Sequence, residues 1–193
     1  ADRAPENFSS QFAYGRAAFE AGDTTAARSA LEKAAALAPV DGDGSPRGLL
    51  AEIAEKAGDT AKARAELRAL LAHDHENVGA ARRLATLALN ANATDDADFA
   101  LRLVADLDPF DANVHAALGK REMARGRVDA AIIEFQAALA LNPATLAEAH
   151  TDLGEALLAA NRKEEARKEA VAAMLAAPGF ARAQDLMLAA SRK

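Results

Sequence analysis

Alanine recurs at residues 27, 63, 97, 131 and 166, and each of these copies sits in the same surroundings. Five residues before it stands Gly22, Gly58, Asn92, Gly126 or Asn161, and seven before that the small residue Gly15, Ala51, Ala85, Gly119 or Gly154. Four residues after it comes Leu31, Leu67, Leu101 or Phe135, with Ala170 as the exception, and three further on Ala34, Leu70, Val104, Ala138 or Ala173. Unrelated Ala-rich helices would not keep five columns in register. The pattern restricts the chain to a stack of five similar units, none of which can bury its apolar face alone.

Each column has a physical job. The small residue lets two helix backbones approach more closely than a branched side chain allows. Gly and Asn enter the left-handed conformation in which a helix often ends, so the second column marks the turn between two helices. Tyr14, Leu50, Leu84, Leu118 and Leu153, beside the small residue, are expected to fill the core of each pair. Pro39, Pro109, Pro143 and Pro178 close the second helices, because proline cannot extend a helix, and His75 stands in that place in the second copy.

Composition fits thin helices packed in layers: 55 of 193 residues are Ala and aromatics are 4%. A net charge of −6, spread evenly along the chain, argues against a nucleic-acid scaffold, which needs a basic patch. With no Cys, disulfides, thiol nucleophiles and Cys-ligated zinc are excluded. The longest apolar run falls far short of a membrane span.

The stretch Ala112–Pro143, ANVHAALGKREMARGRVDAAIIEFQAALALNP, with Leu118-Gly119, Gly126, Ala131, Phe135, Ala138 and Pro143, resembles the tetratricopeptide (TPR) repeat. That resemblance implies an all-α fold, a right-handed TPR superhelix or α-solenoid of five helix–turn–helix repeats at 8–41, 44–77, 78–111, 112–146 and 147–180. A capping helix follows at 181–193, with Leu186, Met187 and Leu188 inward and Arg182, Gln184 and Asp185 outward; residues 1–7 read as a linker or frayed tail. Against the family pattern, the bulky residue near the start of the first helix becomes Gln11, Arg47, Ala81, His115 and His150, and its late aromatic becomes Ala18, Ala54, Ala88, Glu122 and Leu157. The insertion at Gly42-Asp43-Gly44 is expected to loosen the first junction, with Ser45-Pro46 as cap and first residue of the next helix.

No catalytic set is present. His73-Asp74-His75-Glu76 lacks further ligands to complete a metal site, and His115 and His150 read as packing filler. Asp95, Asp96, Asp98, Asp106, Asp108 and Asp111 lack the spacing of a calcium loop; Thr94 is the expected cap of the helix that follows. The chain is expected to be no enzyme, with no cofactor and no metal. The resemblance implies a scaffold for a protein or peptide partner, docking on a concave face lined by first helices: Phe12, Arg16, Phe19, Arg82, Thr86, Lys120, Met123 and Leu158. Leu89, Met123 and Leu158 read as an apolar strip. Neither Arg16, Leu49 and Arg83 nor Arg82, Ala117 and Asp152 match the Lys/Asn/Arg clamp with which one TPR subtype grips chaperone C-terminal carboxylates.

Residues from Glu148 to Ala190 also resemble the C-terminal TPR tails of bacterial exported peptidase-like proteins. This second resemblance makes the alternative reading a structural tail of a larger hydrolase whose catalytic domain lies upstream, and favours the bacterial periplasm or export over the cytoplasm. It agrees with a fragment beginning at Ala1. Phe8, Phe12 and Phe19 then form a helix face awaiting cover, by an upstream domain, a dimer mate or a ligand, while Tyr14 fills the first pair; the alternatives are that residues 1–7 fold back over that face, or that Phe8 and Phe12 pack inward on Ala27 and Leu31.

Overall fold

The left-handed turns come out where the Gly/Asn column puts them: φ is +79° at Gly22, +73° at Gly58, +52° at Asn92, +72° at Gly126 and +61° at Asn161. At each, the chain leaves one helix and enters its antiparallel partner. The computed structural model describes residues 7–192, and among them every regular element is a helix. The pairs are α1 (Phe8–Glu20) with α2 (Thr24–Leu37), α3 (Pro46–Lys56) with α4 (Thr60–Leu71), and α5 (Val78–Asn90) with α6 (Thr94–Leu107). Next come α7 (Ala112–Ala124) with α8 (Val128–Ala140), α9 (Leu146–Ala159) with α10 (Lys163–Ala176), and α11 (Ala181–Ser191). They divide into two units, α1–α6 and α7–α11, with the boundary at Leu107 and Asp108.

Short polar side chains start the helices. Asn7, Asp23, Ser45, Asp59, Asn77 and Asp111 each accept a backbone N–H of the first turn, satisfying donors that have no partner within the helix. Asn7 is therefore the cap of α1 rather than the end of a linker; the rest of the expected tail lies outside the described residues. Thr94 is the first residue of α6 rather than its cap.

In unit 1 (residues 1–107) the core is the alanine column and its neighbours: Ala27, Ala63, Leu31, Leu67, Leu50 and Leu84 are all 2% exposed or less. Tyr14 departs from its column. It is 50% exposed, whereas Leu50, its equivalent in the next pair, packs with Ala18, Ala27 and Leu31 of the pair before it, and no described pair precedes α1.

The junction at residues 42–44 is pinned, not loose. The Gly42 N–H donates to Asp74 Oδ2 at 2.7 Å, Asn77 Nδ2 donates to the same oxygen at 3.0 Å, and Ser45, Pro46 and Gly48 are buried. A Cβ on Gly48 would lie 2.1 Å from the Asp43 carbonyl oxygen, so the loop backbone packs directly on α3.

In unit 2 (residues 108–193) the core runs through Ala131, Ile132, Phe135, Leu153, Leu157, Ala166, Ala170 and Leu186. A Cβ on Gly119 would sit 2.5 Å from the Phe135 ring, the close approach that the small-residue column requires. Over Gly154 the corresponding space is taken by Leu186 of α11, 2.4 Å from such a Cβ. The last helix thus supplies the large side chain that Ala170 does not. Leu186 is buried and Met187 packs partly on the core, but Leu188, expected inward, is 63% exposed; Arg182, Gln184 and Asp185 face solvent.

Candidate functional site

Lys120 follows Gly119 directly on α7, and the 100° step of the helix takes it off the pair's core and onto the open side. There its ammonium lies 2.9 Å from Glu148 and 3.1 Å from Asp152, both on α9. Arg182 of α11 reaches the same Asp152 at 2.8 Å and Glu155 at 2.8 Å. Five charges therefore alternate across three helices, Glu148, Lys120, Asp152, Arg182, Glu155. The central carboxylate is 5% exposed while the two cations are 51% and 43% exposed.

The charge states follow from this arrangement. Burial draws the Lys120 ammonium down, but hydrogen bonds to Glu148 and Asp152 outweigh it and hold its pKa above the usual lysine value. The Glu148 carboxyl is lowered, first by the hydrogen bond from Lys120 and then by the charges of Lys120 and Arg182. Glu155 foremost, then Asp152, keep Arg182 more firmly protonated than an isolated arginine. Beside the ladder is a cavity of about 190 Å³ walled by Ala112, Ala116, Ala117, Ala149 and Pro143, with Lys120, Glu148 and Asp152 at its polar end. Small side chains leave this space open.

In unit 1 the residues expected to line a groove stand on α1 and α5. Phe12 and Phe19 are half-buried against the core of Ala27, Leu31, Leu50 and Ile53; Phe8, also half-buried, stacks on Phe12 with centroids 5.5 Å apart. Arg16 lies 5.9 Å over the Phe12 ring and 3.6 Å from Glu20, and Lys56 covers the Phe19 ring at 4.7 Å. Arg82 and Thr86 are exposed one turn apart on α5, where the Thr86 hydroxyl donates to the Arg82 carbonyl at 2.9 Å. The adjacent Arg83 bridges instead to Glu55 at 2.7 Å and Asp43 at 3.8 Å.

Met123 and Leu158 share unit 2 and pack partly on its core, while Leu89, 39% exposed, belongs to unit 1. Thr151, on α9, is fully buried and donates its hydroxyl to the Ala147 carbonyl at 2.7 Å.

His115 and His150 are not filler: their Nδ1 atoms lie 2.8 and 2.7 Å from Glu134 and Glu169, each nineteen residues on, as Arg47 pairs with Glu66 at 3.1 Å. Glu122, in the late aromatic column, is 6% exposed and held by Arg125 at 3.0 Å and Arg127 at 2.7 Å. The signal for both was a polar residue in an apolar column. In the His73–Glu76 stretch, Asp74 serves the loop clasp. Among the described residues no group of three or more His, Asp or Glu is placed to hold a metal, and no helix is long and apolar enough to cross a membrane.

Two tetratricopeptide repeat family models match, one over residues 18–77 and 54–120 and the other over 116–190. The chain belongs to the tetratricopeptide repeat family. Among solved structures this TPR chain is similar to that of MamA, with 26% identity over 72% of this chain and 82% of that one and a TM-score of 0.65. It shares its fold with YrrB, titled "a TPR protein with an unusual peptide-binding site", at 17% identity over 93% and 91% of the two chains and a TM-score of 0.67. A further likeness is to the first TPR of Spaghetti (RPAP3) bound to the HSP90 peptide SRMEEVD, with 19% identity, 61% and 93% coverage and a TM-score of 0.55. No curated protein sequence matches the chain.

Proposed function

We propose that this TPR chain is a non-enzymatic protein-interaction module that takes an extended peptide or a partner helix on the exposed faces of its first helices. The observation that carries this reading is Asp152, a buried carboxylate that holds Lys120 and Arg182 half in solvent beside an alanine-walled cavity. Cations fixed from beneath lose little freedom when a partner arrives, and that saving favours binding. Phe12, Arg16, Phe19, Arg82 and Thr86 are the contact residues this reading assigns in unit 1, and Lys120, Met123 and Leu158 those in unit 2. YrrB, with its peptide-binding site, and the Spaghetti domain, with its bound HSP90 peptide, support it by analogy of fold.

The test is selection of a random peptide library on the full chain, followed by amide-shift mapping of an enriched peptide. Perturbations are expected along α7 and α9, and Ala116→Arg, which fills the cavity, is expected to weaken binding at least about tenfold, or about 1.4 kcal/mol. Perturbations confined to second helices, or an affinity indifferent to Ala116→Arg, would reject the assignment.

A second reading is favoured by α1, where Phe8 and Phe12 are half-buried and Tyr14 is half-exposed: the array is the structural tail of a larger hydrolase, and this face meets its catalytic domain or a dimer mate. Mass measurement of the polypeptide in its native cells decides it. A product without a hydrolase domain ends this reading.

A further inference from the structure

His115 and His150 stand near the starts of α7 and α9, and each aims Nδ1 at a carboxylate on the second helix of its own repeat. His115 differs in having a second acceptor: its Nε2 lies 3.1 Å from the carbonyl oxygen of Pro109, in the turn ahead of α7. A peptide carbonyl has no proton to give, and an ionised carboxylate has none either. Neutral imidazole carries one N–H, so satisfying both acceptors requires the doubly protonated ring.

We propose that His115 is a proton-operated clasp, which when charged ties the Pro109 turn to α8 through Glu134 and when neutral lets that turn go. The charged groups that face the ring are Glu134 from α8 and Asp111 from the turn itself. Of the two bonds, Nδ1–H to the carboxylate is charge-assisted and about twice as strong as a neutral one, so the proton leaves from Nε2. The bare Nε2 lone pair then faces the lone pairs of the Pro109 oxygen, and the turn is pushed off. Phe110, the next residue and 79% exposed, moves with it.

The direction of the pH response follows. Burial pulls the ring's pKa down, but the Glu134 hydrogen bond, the Pro109 carbonyl and the charges of Glu134 and Asp111 outweigh burial and raise it above the ordinary histidine value of 6.5. A raised folded-state value means the clasp contributes fully below the unfolded value and is lost as pH rises through the folded one. The turn is therefore held at mildly acidic pH and released on the alkaline side.

Ring-nitrogen and carbonyl-carbon NMR of the full chain, from about pH 5 to about pH 9, tests this across the histidine range. At the acid end both His115 nitrogens are expected to carry protons. Above the midpoint Nδ1 keeps its proton, Nε2 loses it, and the Pro109 carbonyl and Phe110 amide signals shift with that same midpoint. Glu134→Gln is expected to lower the midpoint, His115→Gln to abolish the Pro109 shift, and His150→Gln to leave it unchanged. An Nε2 without its proton throughout, a Pro109 signal that stays still while His115 titrates, or a Pro109 shift that survives His115→Gln would each overturn the proposal. The wild-type titration decides the matter even if a variant fails to fold.

Discussion

Asp96 in unit 1 and Asp152 in unit 2 do similar work in different ways. Each carboxylate takes two cations from other helices, but those of Asp96 are Arg64 and Arg68, one turn apart on α4, with the Arg68 guanidinium also stacked 4.0 Å over Phe99. Those of Asp152 come from two helices, α7 and α11. Asp96 keeps 23% of its side chain exposed and joins two second helices; Asp152 keeps 5% and joins two first helices and the capping helix. A partly exposed carboxylate can fall back on water when a partner goes, whereas a buried one cannot. The comparison teaches that the open face of unit 2 is tied together by a charge it cannot leave unpaired, while the second-helix face of unit 1 is fastened by bonds it can spare.

The strongest way to break that comparison is to remove both cations from each carboxylate. Lys120→Met or Arg182→Met alone leaves Asp152 one partner, and the double change leaves none, so the double is expected to cost about 3–5 kcal/mol and to exceed the sum of the singles. Arg64→Met with Arg68→Met is expected to cost less and to add. Urea unfolding of the two cycles measures both, and equal coupling in the two would erase the distinction.

Next in size are the glycines, which sharpen the contrast between the units. Gly48→Ala drives a Cβ into loop backbone that cannot rotate away, so it is expected to destabilise by about 1–3 kcal/mol or more, whereas in Gly119→Ala the obstacle is the Phe135 ring, which can shift. The order of their melting temperatures is the check. Smallest is the exposed Lys62–Glu32 pair between α4 and α2, 2.7 Å apart, whose removal is expected to cost about 0–1 kcal/mol by double-mutant cycle.

Acid sensitivity extends the comparison to solution conditions. Glu148 has its pKa lowered, so its contribution is present above the ordinary glutamate value of 4.5 and is lost as pH falls through its depressed folded value. Glu148→Gln is expected to flatten that part of the stability–pH curve, measured by urea unfolding at successive pH values. An unchanged acid limb would show that Lys120 draws little on Glu148.

Backbone chemistry was legible in the sequence because it is local. Gly22, Gly58, Asn92, Gly126 and Asn161 announce positive φ on their own, and an alanine repeated in five like settings announces a contact too close for anything larger. Pairing between helices was not legible. Lys120 was placed on the concave face and no further, because periodicity reports which face a residue occupies, not which side chains meet there. Its two carboxylate partners lie about thirty residues away, on a helix whose distance and rotation no pattern specifies. The exposure of Tyr14 and Leu188 escaped for a related reason: a column describes a residue between two neighbours, and these two belong to helices flanked by a described neighbour on one side only. The 42–44 loop misled because three small or polar residues suggest slack, while the hydrogen bond that holds them, donated by the Gly42 N–H, is accepted by Asp74, thirty-two positions on.

Leu186 has a consequence for how such an array could lengthen. Because α11 carries the large side chain that sits over Gly154, and Ala170 leaves room for it, a sixth repeat cannot simply be duplicated onto the fifth. Enlarging residue 170 alone sets it against Leu186, and shrinking residue 186 alone opens a hollow above Gly154. Each step is harmful without the other, so residues 170 and 186 are coupled, and changing both together is expected to cost less than the sum of the two single changes.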